Sequence, residues 1–437
     1  MSSRDREIVR LALPAFGALI AEPLYVLADT AVVGHLGTPE LGGLAVASSV
    51  LLTGYAVFIF LAYGTTGTVA RLIGAGNERE AAHQAVQGMW LALCIAAVLV
   101  PLGLLSGGWL VRALGASGDL ATNAEIYLRI SMFGVPALLV TLAGTGYLRG
   151  RQDTFTPLAV ALASNVVNLV LELVLINGLG FGIGASALAT VIAQTGAAAI
   201  YVGRIVRAVR MLDVSVRPNG RAISLLGRAG GALLLRTAAL RGALTAATAI
   251  ATRIGPVDVA AHEIAYELWN FLALGLDAIA IAGQAIIGKE LGAGDAEEAH
   301  AMGRRMLWLG FVAGAIVGAL VIALRFVLPH IFSNDPRVLA LASFLLLSVA
   351  VLQPVNGVVF VLDGILIGAG DLRYMAWAMV GATAVFAAAG AAVIVFGLGI
   401  GWLWAAIGLW MVVRLVGLGT RFRTGRWAVT GATRSND

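Results

Sequence analysis

Twelve stretches of this chain are apolar over about the 20 residues that a helix needs to cross a ~30 Å hydrocarbon core. They fall near 10–35, 43–70, 86–111, 124–148, 155–177, 184–206, 223–252, 259–287, 304–329, 338–367, 372–397 and 401–420. No soluble core accommodates that pattern, because 59% hydrophobic and 12% charged residues leave too little polar surface to face water. The mean hydropathy of +0.92 agrees. The spacing predicts an all-α membrane protein of twelve transmembrane helices.

The pattern is also written twice. Gly74-Ala75-Gly76-Asn77-Glu78-Arg79-Glu80-Ala81 returns 218 positions later as Gly292-Ala293-Gly294-Asp295-Ala296-Glu297-Glu298-Ala299. The same shift carries Trp90 onto Trp308, Pro136 onto Pro354, and Gly146, Gly150 and Asp153 onto Gly364, Gly368 and Asp371. Half of 437 residues is one repeat, so the chain predicts two six-helix lobes rather than a solenoid, an arrangement used by secondary transporters. Six is an even number, so the lobes should share one topology about an axis along the membrane normal, with a cleft between them. The expected organisation is a first lobe at 1–206, a cytoplasmic connection at 207–222 with Pro218-Asn219-Gly220, a second lobe at 223–420 and a tail at 421–437.

Cations set the expected orientation. With the N-terminus inside, the inner segments hold 22 of the 29 Lys and Arg, including Arg414 to Arg434, against Arg112, Arg129, Arg253, Arg325 and Arg337 outside. Both termini are expected in the cytoplasm of a plasma membrane. The net charge of +5 is what this asymmetry requires, so nucleic acid is not an expected partner. The lone Cys94 excludes an internal disulfide and reads as buried packing. The first apolar stretch is too long for a cleaved signal and stays as helix 1. Nothing points to an obligate oligomer, and a monomer is expected.

Asn77 and Asp295 read as N-caps with Glu80 and Glu298 three places on, each opening a short interfacial helix. The strings Gly292-x-Gly294-Asp295 and Gly368-x-Gly370-Asp371 resemble intramembrane aspartyl protease motifs, but they lie at helix ends and the first copy has Asn77 in place of an acid. No Walker loop, His-Glu-x-x-His or Ser-His-Asp set occurs, so no catalytic residue and no metal centre is expected. His83, His262, His300 and His330 read as solvated or capping residues, and His35 as a turn residue or a proton relay.

Intramembrane carboxylates are different, since an acid at helix centre costs about 2.5–3.5 kcal/mol on insertion scales. Asp29 and Glu172 qualify. Counted from their helix ends at 1.5 Å per residue, Asp29, Asn168, Glu172 and Thr190 fall about 7–14 Å below the outer boundary and can share one site. Asn168 and Glu172 are i and i+4 on one face. Two carboxylates, an amide oxygen and a hydroxyl suit a hard monovalent cation such as sodium. Without one, two acids in a low dielectric cannot both stay ionised, and a proton is held. The plain structural alternative has Asp29 bonding nearby backbone and Glu172 reaching outward.

The stretch Glu22-Pro23-Leu24-Tyr25-Val26-Leu27-Ala28-Asp29-Thr30-Ala31-Val32-Val33-Gly34-His35-Leu36-Gly37, with Asn168-x-x-x-Glu172 and Leu362-Asp363-Gly364-x-x-x-Gly368, resembles the multidrug and toxic compound extrusion (MATE) family in its DNA-damage-inducible protein F branch. The resemblance covers nearly the whole chain. It implies efflux of organic, often cationic, compounds in exchange for protons or sodium, with no cofactor, and a cation site at Asp29, Asn168, Glu172 and Thr190. The family's helix 5 acid is usually aspartate, so Glu172 departs from it. Helix 7 offers Arg236 and Arg241 in place of the acid that marks a second cation site in some relatives.

Hairpin arithmetic about Gly255-Pro256 pairs Arg236 with Asp277 and Arg241 with Glu267. Arg236, Asp277, Asp363 and Tyr25 are further candidates for gating or substrate contact. Tyr25, Phe58, Tyr266 and Trp269 could stack on flat ligands or simply pack. Pro14 and Pro23 let helix 1 bend. The expected mechanism is alternating access. A flippase for a lipid-linked substrate is the alternative, and a membrane-embedded enzyme a second, for which no catalytic pair is found.

Overall fold

The computed structural model describes residues 3–433. It contains fourteen α-helices among the described residues. In the first half these are α1 (Ser3–Gly34), α2 (Thr38–Phe58), α3 (Phe60–Gly74), α4 (Glu78–Ala113), α5 (Gly118–Met132), α6 (Val135–Gly150), α7 (Phe155–Glu172) and α8 (Ile183–Leu212). The second half carries α9 (Gly220–Ile254), α10 (Pro256–Gly292), α11 (Ala296–Leu324), α12 (Pro336–Gly368), α13 (Leu372–Val395) and α14 (Ile400–Arg423). Ten of them are long and apolar enough to cross a membrane, and the pair α5 and α6, bent by 51°, makes an eleventh span. Helices α2 and α3, separated by the single residue Ile59, occupy the remaining apolar stretch expected near 43–70.

Two predicted spans are therefore interrupted. The stretch 43–70 breaks at Ile59 and 124–148 breaks at Phe133–Gly134, where Pro136 opens α6 and supplies no N–H to continue the ladder of α5. Its repeat partner Pro354 lies inside α12 without a break. The interfacial helices are corrected too, since α4 and α11 run unbroken from their caps. The caps themselves form: Asn77 Oδ1 accepts from Glu80 N at 3.1 Å and Asp295 Oδ1 from Glu298 N at 2.8 Å.

The repeat is visible bond by bond. At the end of α3, Asn77 N donates to Leu72 O at 2.9 Å and Gly76 N to Ile73 O at 3.0 Å, and Asp295 and Gly294 repeat both bonds at the end of α10. Gly76 and Gly294 both take positive φ, 72° and 87°, which closes a helix without a Cβ penalty. A methyl on Gly146 would meet the carbonyl oxygen of Ala62, and one on Gly364 that of Ala280. Each of these pairs is 218 positions from the other. Close helix crossing of this kind needs residues without a side chain at the contact.

The chain forms two compact units, Gly17–Gly230 and Met1–Phe16 with Gly231–Asp437. One end of the first is packed around Val33, Leu44, Val111, Tyr127 and Leu128. In the second, Arg305 Nη2 donates to Asp5 at 2.9 Å and Arg4 Nη2 to Glu298 at 2.6 Å, tying the start of α1 to α11. Helices α8 and α9 run further than expected, so the connecting segment shortens to 213–219. Part of the tail is docked: Trp427 is fully buried and lies against Phe422, with ring centroids 5.3 Å apart. Residues 434–437 of the predicted tail lie outside the described residues.

Candidate functional site: a carboxylate cluster beside a cavity

Three helices of the Gly17–Gly230 unit each supply two polar residues one turn apart: Tyr25 and Asp29 from α1, Asn168 and Glu172 from α7, Ser186 and Thr190 from α8. Residues at i and i+4 share a helix face, so three faces converge. Asp29, Asn168, Glu172 and Ser186 are buried. Ser186 Oγ donates to Asp29 Oδ1 at 2.8 Å, and Asn168 Nδ2 donates to Thr190 Oγ1 at 2.9 Å. The Thr190 hydroxyl gives its hydrogen to Ser186 O at 3.1 Å. Tyr25 OH, 3.0 Å from Thr190 Oγ1, must then be the donor of that pair.

Acceptors outnumber donors here. Both carboxylate oxygens of Glu172 and Oδ1 of Asn168 are buried without a hydrogen-bond partner, and Asp29 lies close enough to Glu172 for their charges to interact. Buried oxygens left in this state are costly. A proton or a hard cation with oxygen ligands satisfies such a set, and the residue types fit either one. Among the described residues, no group of three or more His, Cys, Asp or Glu could hold a metal ion.

Immediately after Glu172 the helix widens into a π-helical turn, Leu173–Gly178, closed by the i+5 bond from Leu179 N to Val174 O at 3.0 Å. π turns recur at functional sites. The second half has no counterpart to the cluster, since the 218 shift carries Asp29, Asn168 and Glu172 onto Ala247, Phe386 and Gly390.

A cavity of about 520 Å³ adjoins the cluster, lined by Glu22, Tyr25, Asp29, Phe58, Tyr127, Asn168 and Thr190 among mainly apolar residues. Arg149, Thr145 and Tyr201 also line it. Eleven residues of α8 separate Thr190 from Tyr201, about 16 Å of helix rise. Arg149 is one of the 22 Lys and Arg that the sequence assigns to inner segments. It is instead buried in the last turn of α6, where nothing in a short arginine-bearing turn distinguishes it from its neighbour Arg151.

In the other unit, Asp363 on α12 receives two guanidinium groups, from Arg236 at 2.5 Å and Arg414 at 2.8 Å. Arg414 is corrected from an inner segment to the interior of α14, where its side chain is 4% exposed. Arg241 does not pair with Glu267, whose interacting charged neighbour is Glu263. Arg241 is five residues, hence about 140° of helix rotation, from the face that Arg236 occupies, and it is exposed. Cys94 is exposed on α4 rather than buried, because hydropathy does not separate a lipid face from a protein one. His262 is fully buried and stacks on Tyr266 at 5.9 Å, so it is neither solvated nor a cap. His35 Nδ1 lies 2.6 Å from Ala31 O at the end of α1.

Known proteins resemble this chain over most of its length. The family model described as MatE matches residues 14–174 and 239–393. Protein DETOXIFICATION 44, chloroplastic, of Arabidopsis thaliana is 35% identical over 96% of this chain and 83% of its own length. DNA damage-inducible protein F of Escherichia coli (strain K12) is 31% identical over 89% of this chain and 85% of its own. A solved structure described as MATE in the bent conformation superposes with a TM-score of 0.88 at 21% identity, covering 98% of this chain and 96% of the other. An outward-facing multidrug resistance MATE family transporter of the MOP superfamily gives 0.87 at 21%, with 97% of each chain covered. At that identity the likeness shows the two-lobe, twelve-helix fold.

Proposed function

The chain belongs to the multidrug and toxic compound extrusion family of transporters, and from that premise we propose that it exports organic compounds, often cationic ones, by antiport with protons or sodium ions. The family and fold are those of transporters rather than enzymes. The observation that carries the coupling site is the convergence of Asp29 with the donor-less buried oxygens of Glu172 and Asn168. A site so short of donors binds whatever brings positive charge to it.

Protonation or cation binding at Asp29 and Glu172 favours the state that releases substrate outward, and emptying the site favours the state that loads it. An ion drives such a cycle only by binding the two states unequally. Pro14 and Pro23, which leave two backbone positions of α1 without donors, sit on the helix that carries Asp29. That helix can therefore bend where its acid changes charge.

The chain works as a multi-pass protein of the plasma membrane with both termini cytoplasmic. Removing Arg414 from the inner set leaves the remaining cations concentrated on the same side. It acts on small molecules, as a monomer and with no cofactor beyond the coupling ion. The test is efflux of a fluorescent organic cation from proteoliposomes under an imposed pH gradient and then a sodium gradient. Wild type is expected to respond to one of them and Asp29→Asn to neither. No gradient-dependent movement in wild type overturns antiport and favours the flippase.

A further inference from the structure

Among the described residues, Arg149 is a buried cation that closes no salt bridge. Its side chain is nine-tenths buried, its Nε has no hydrogen-bond partner, and it lines the same cavity as the acids. The nearest acid in sequence, Asp153, accepts from Thr156 N and Oγ1 at 2.9 and 2.6 Å and forms no ion pair with Arg149. The C-terminal dipole of α6 offsets only part of the cost of burying the charge. Two close contacts fix the backbone that carries it, since added methyls on Gly146 and Gly150 would strike the carbonyl oxygens of Ala62 and Thr66 on α3. The backbone that carries Arg149 is thus held in place at the edge of the cavity it lines.

A second donor stands beside it. Thr145 Oγ1 donates to Tyr201 OH at 3.0 Å, which leaves the phenol hydrogen of Tyr201 free to be given away, and Tyr201 is close enough to Arg149 to feel its charge. A guanidinium with a neighbouring hydroxyl is a carboxylate-binding set. Glu22, on the α1 wall of the same cavity, lies two turns from Asp29, about 10 Å along the helix, and makes no ion pair with Arg149. The cavity therefore presents acids and a base that do not neutralise each other. A simple cation leaves Arg149 desolvated and unpaired, and a simple anion meets Glu22 and Asp29.

We infer that Arg149 is the anion-recognising residue of this cavity, and that the preferred solutes are amphiphilic zwitterions, with an apolar body, a cationic group toward Glu22 and Asp29, and a carboxylate at Arg149. The inference rests on the reading of the chain as an exporter, and it adds a requirement that antiport does not contain. A volume of about 520 Å³ lies within the range of small-molecule pockets, roughly 300–1,000 Å³.

Rhodamine 110 and rhodamine 123 differ only in that the second carries the carboxylate as a methyl ester, so the pair isolates the charge. Binding of each dye to the purified full-length chain in nanodiscs is followed by fluorescence anisotropy, and their gradient-driven movement in proteoliposomes is measured in parallel. Wild type is expected to bind rhodamine 110 about tenfold or more tighter, as a charge-assisted hydrogen bond allows. Arg149→Met should erase that preference by weakening rhodamine 110 while binding rhodamine 123 at least as tightly as wild type does, and Arg149→Lys should keep part of it. Equal binding of the two dyes by wild type, equal loss of both in Arg149→Met, or no binding of either overturns the inference. Should Arg149→Met fail to fold, the wild-type ratio and Arg149→Lys decide. If both dyes move with the gradient but rhodamine 110 has no advantage, antiport stands and the inference falls. If the Arg149-dependent preference is present while neither dye responds to a gradient, antiport falls and the inference stands.

Discussion

Ser186 on α8 donates to Asp29 on α1 at 2.8 Å, while Glu172 on α7 has no donor for either oxygen. The two acids of the cluster are therefore held differently, one by a hydroxyl across a helix contact and one beside it with neither oxygen satisfied. A hydrogen bond to an ionised group contributes roughly 1.5–3 kcal/mol. Ser186→Ala is expected to shift the apparent affinity for the coupling ion by about tenfold, since about 1.4 kcal/mol is a factor of ten. Initial transport rates against sodium or proton concentration check this, and an unchanged midpoint removes Ser186 from the site.

Glu172→Gln keeps the size of the side chain and removes its charge. It is expected to bind substrate and to abolish response to the coupling gradient, whereas Glu172→Asp retains a weakened response because its carboxylate is one methylene shorter. Parallel binding and proteoliposome assays separate the two effects. Full coupling in Glu172→Gln would show that the acid is structural.

Asp363→Ala leaves the Arg414 guanidinium buried without a carboxylate. Breaking a buried ion pair from one side costs about 3–5 kcal/mol, so the variant should melt well below wild type in detergent. Asp363→Asn should fall between them. A melting temperature within a degree of wild type would mean that the pair does not hold this unit together.

Gly146→Ala and Gly364→Ala should each destabilise by about 1–3 kcal/mol through overpacking. Gly196→Ala, where nothing lies within 4 Å, should be neutral or stabilising by up to about 1 kcal/mol from helix propensity. Thermal unfolding of the three variants tests the contrast, and a tolerated Gly146→Ala would show that α3 and α6 can part.

Asp335 caps α12 through Arg337 N at 2.9 Å, and its hydrogen bonds to Arg337 hold its carboxyl below the usual carboxylate range. Because the folded value is the lower one, this stabilisation is fully present above the ordinary value of about 3.9 and is lost as pH falls through the depressed value. The first turn of α12 should stay closed from neutrality to about pH 4 and fray below it. Asp335→Asn should cap at every pH, since Asn is as good a cap, which amide exchange at residues 337–339 would reveal.

Spacing made much of this readable. Apolar runs located the spans, and Asn77 and Asp295 marked the same cap twice. Asn168 and Glu172 fell on one face by their separation alone. Other features carry no local signal. Asp363 and Arg414 lie 51 positions apart in different helices, so an arginine near a helix end reads as a cytoplasmic anchor until its partner is known. Ser186 is one small residue in an alanine-rich helix. Gln152 adopts φ 60° where the repeat has Gly370 at 70°, so the turn keeps its geometry while its glycine is missing from the first copy. The break at Ile59 has no proline to announce it.

The π turn at Leu173–Gly178 makes the register of the chain a constraint of its own. It accommodates one residue more per turn than an α-helix, just after Glu172 and shortly before the helix that carries Ser186 and Thr190. A single deletion there leaves the next helix in phase only if the turn returns to ordinary helical pitch; an insertion, or a deletion not absorbed in this way, would turn its phase by about 100°. The hydroxyls that now face Asp29 and Asn168 would point elsewhere, although no residue of the cluster had been replaced. Length variation in this short segment therefore calls for the same care as substitution when variants are made or homologues are aligned.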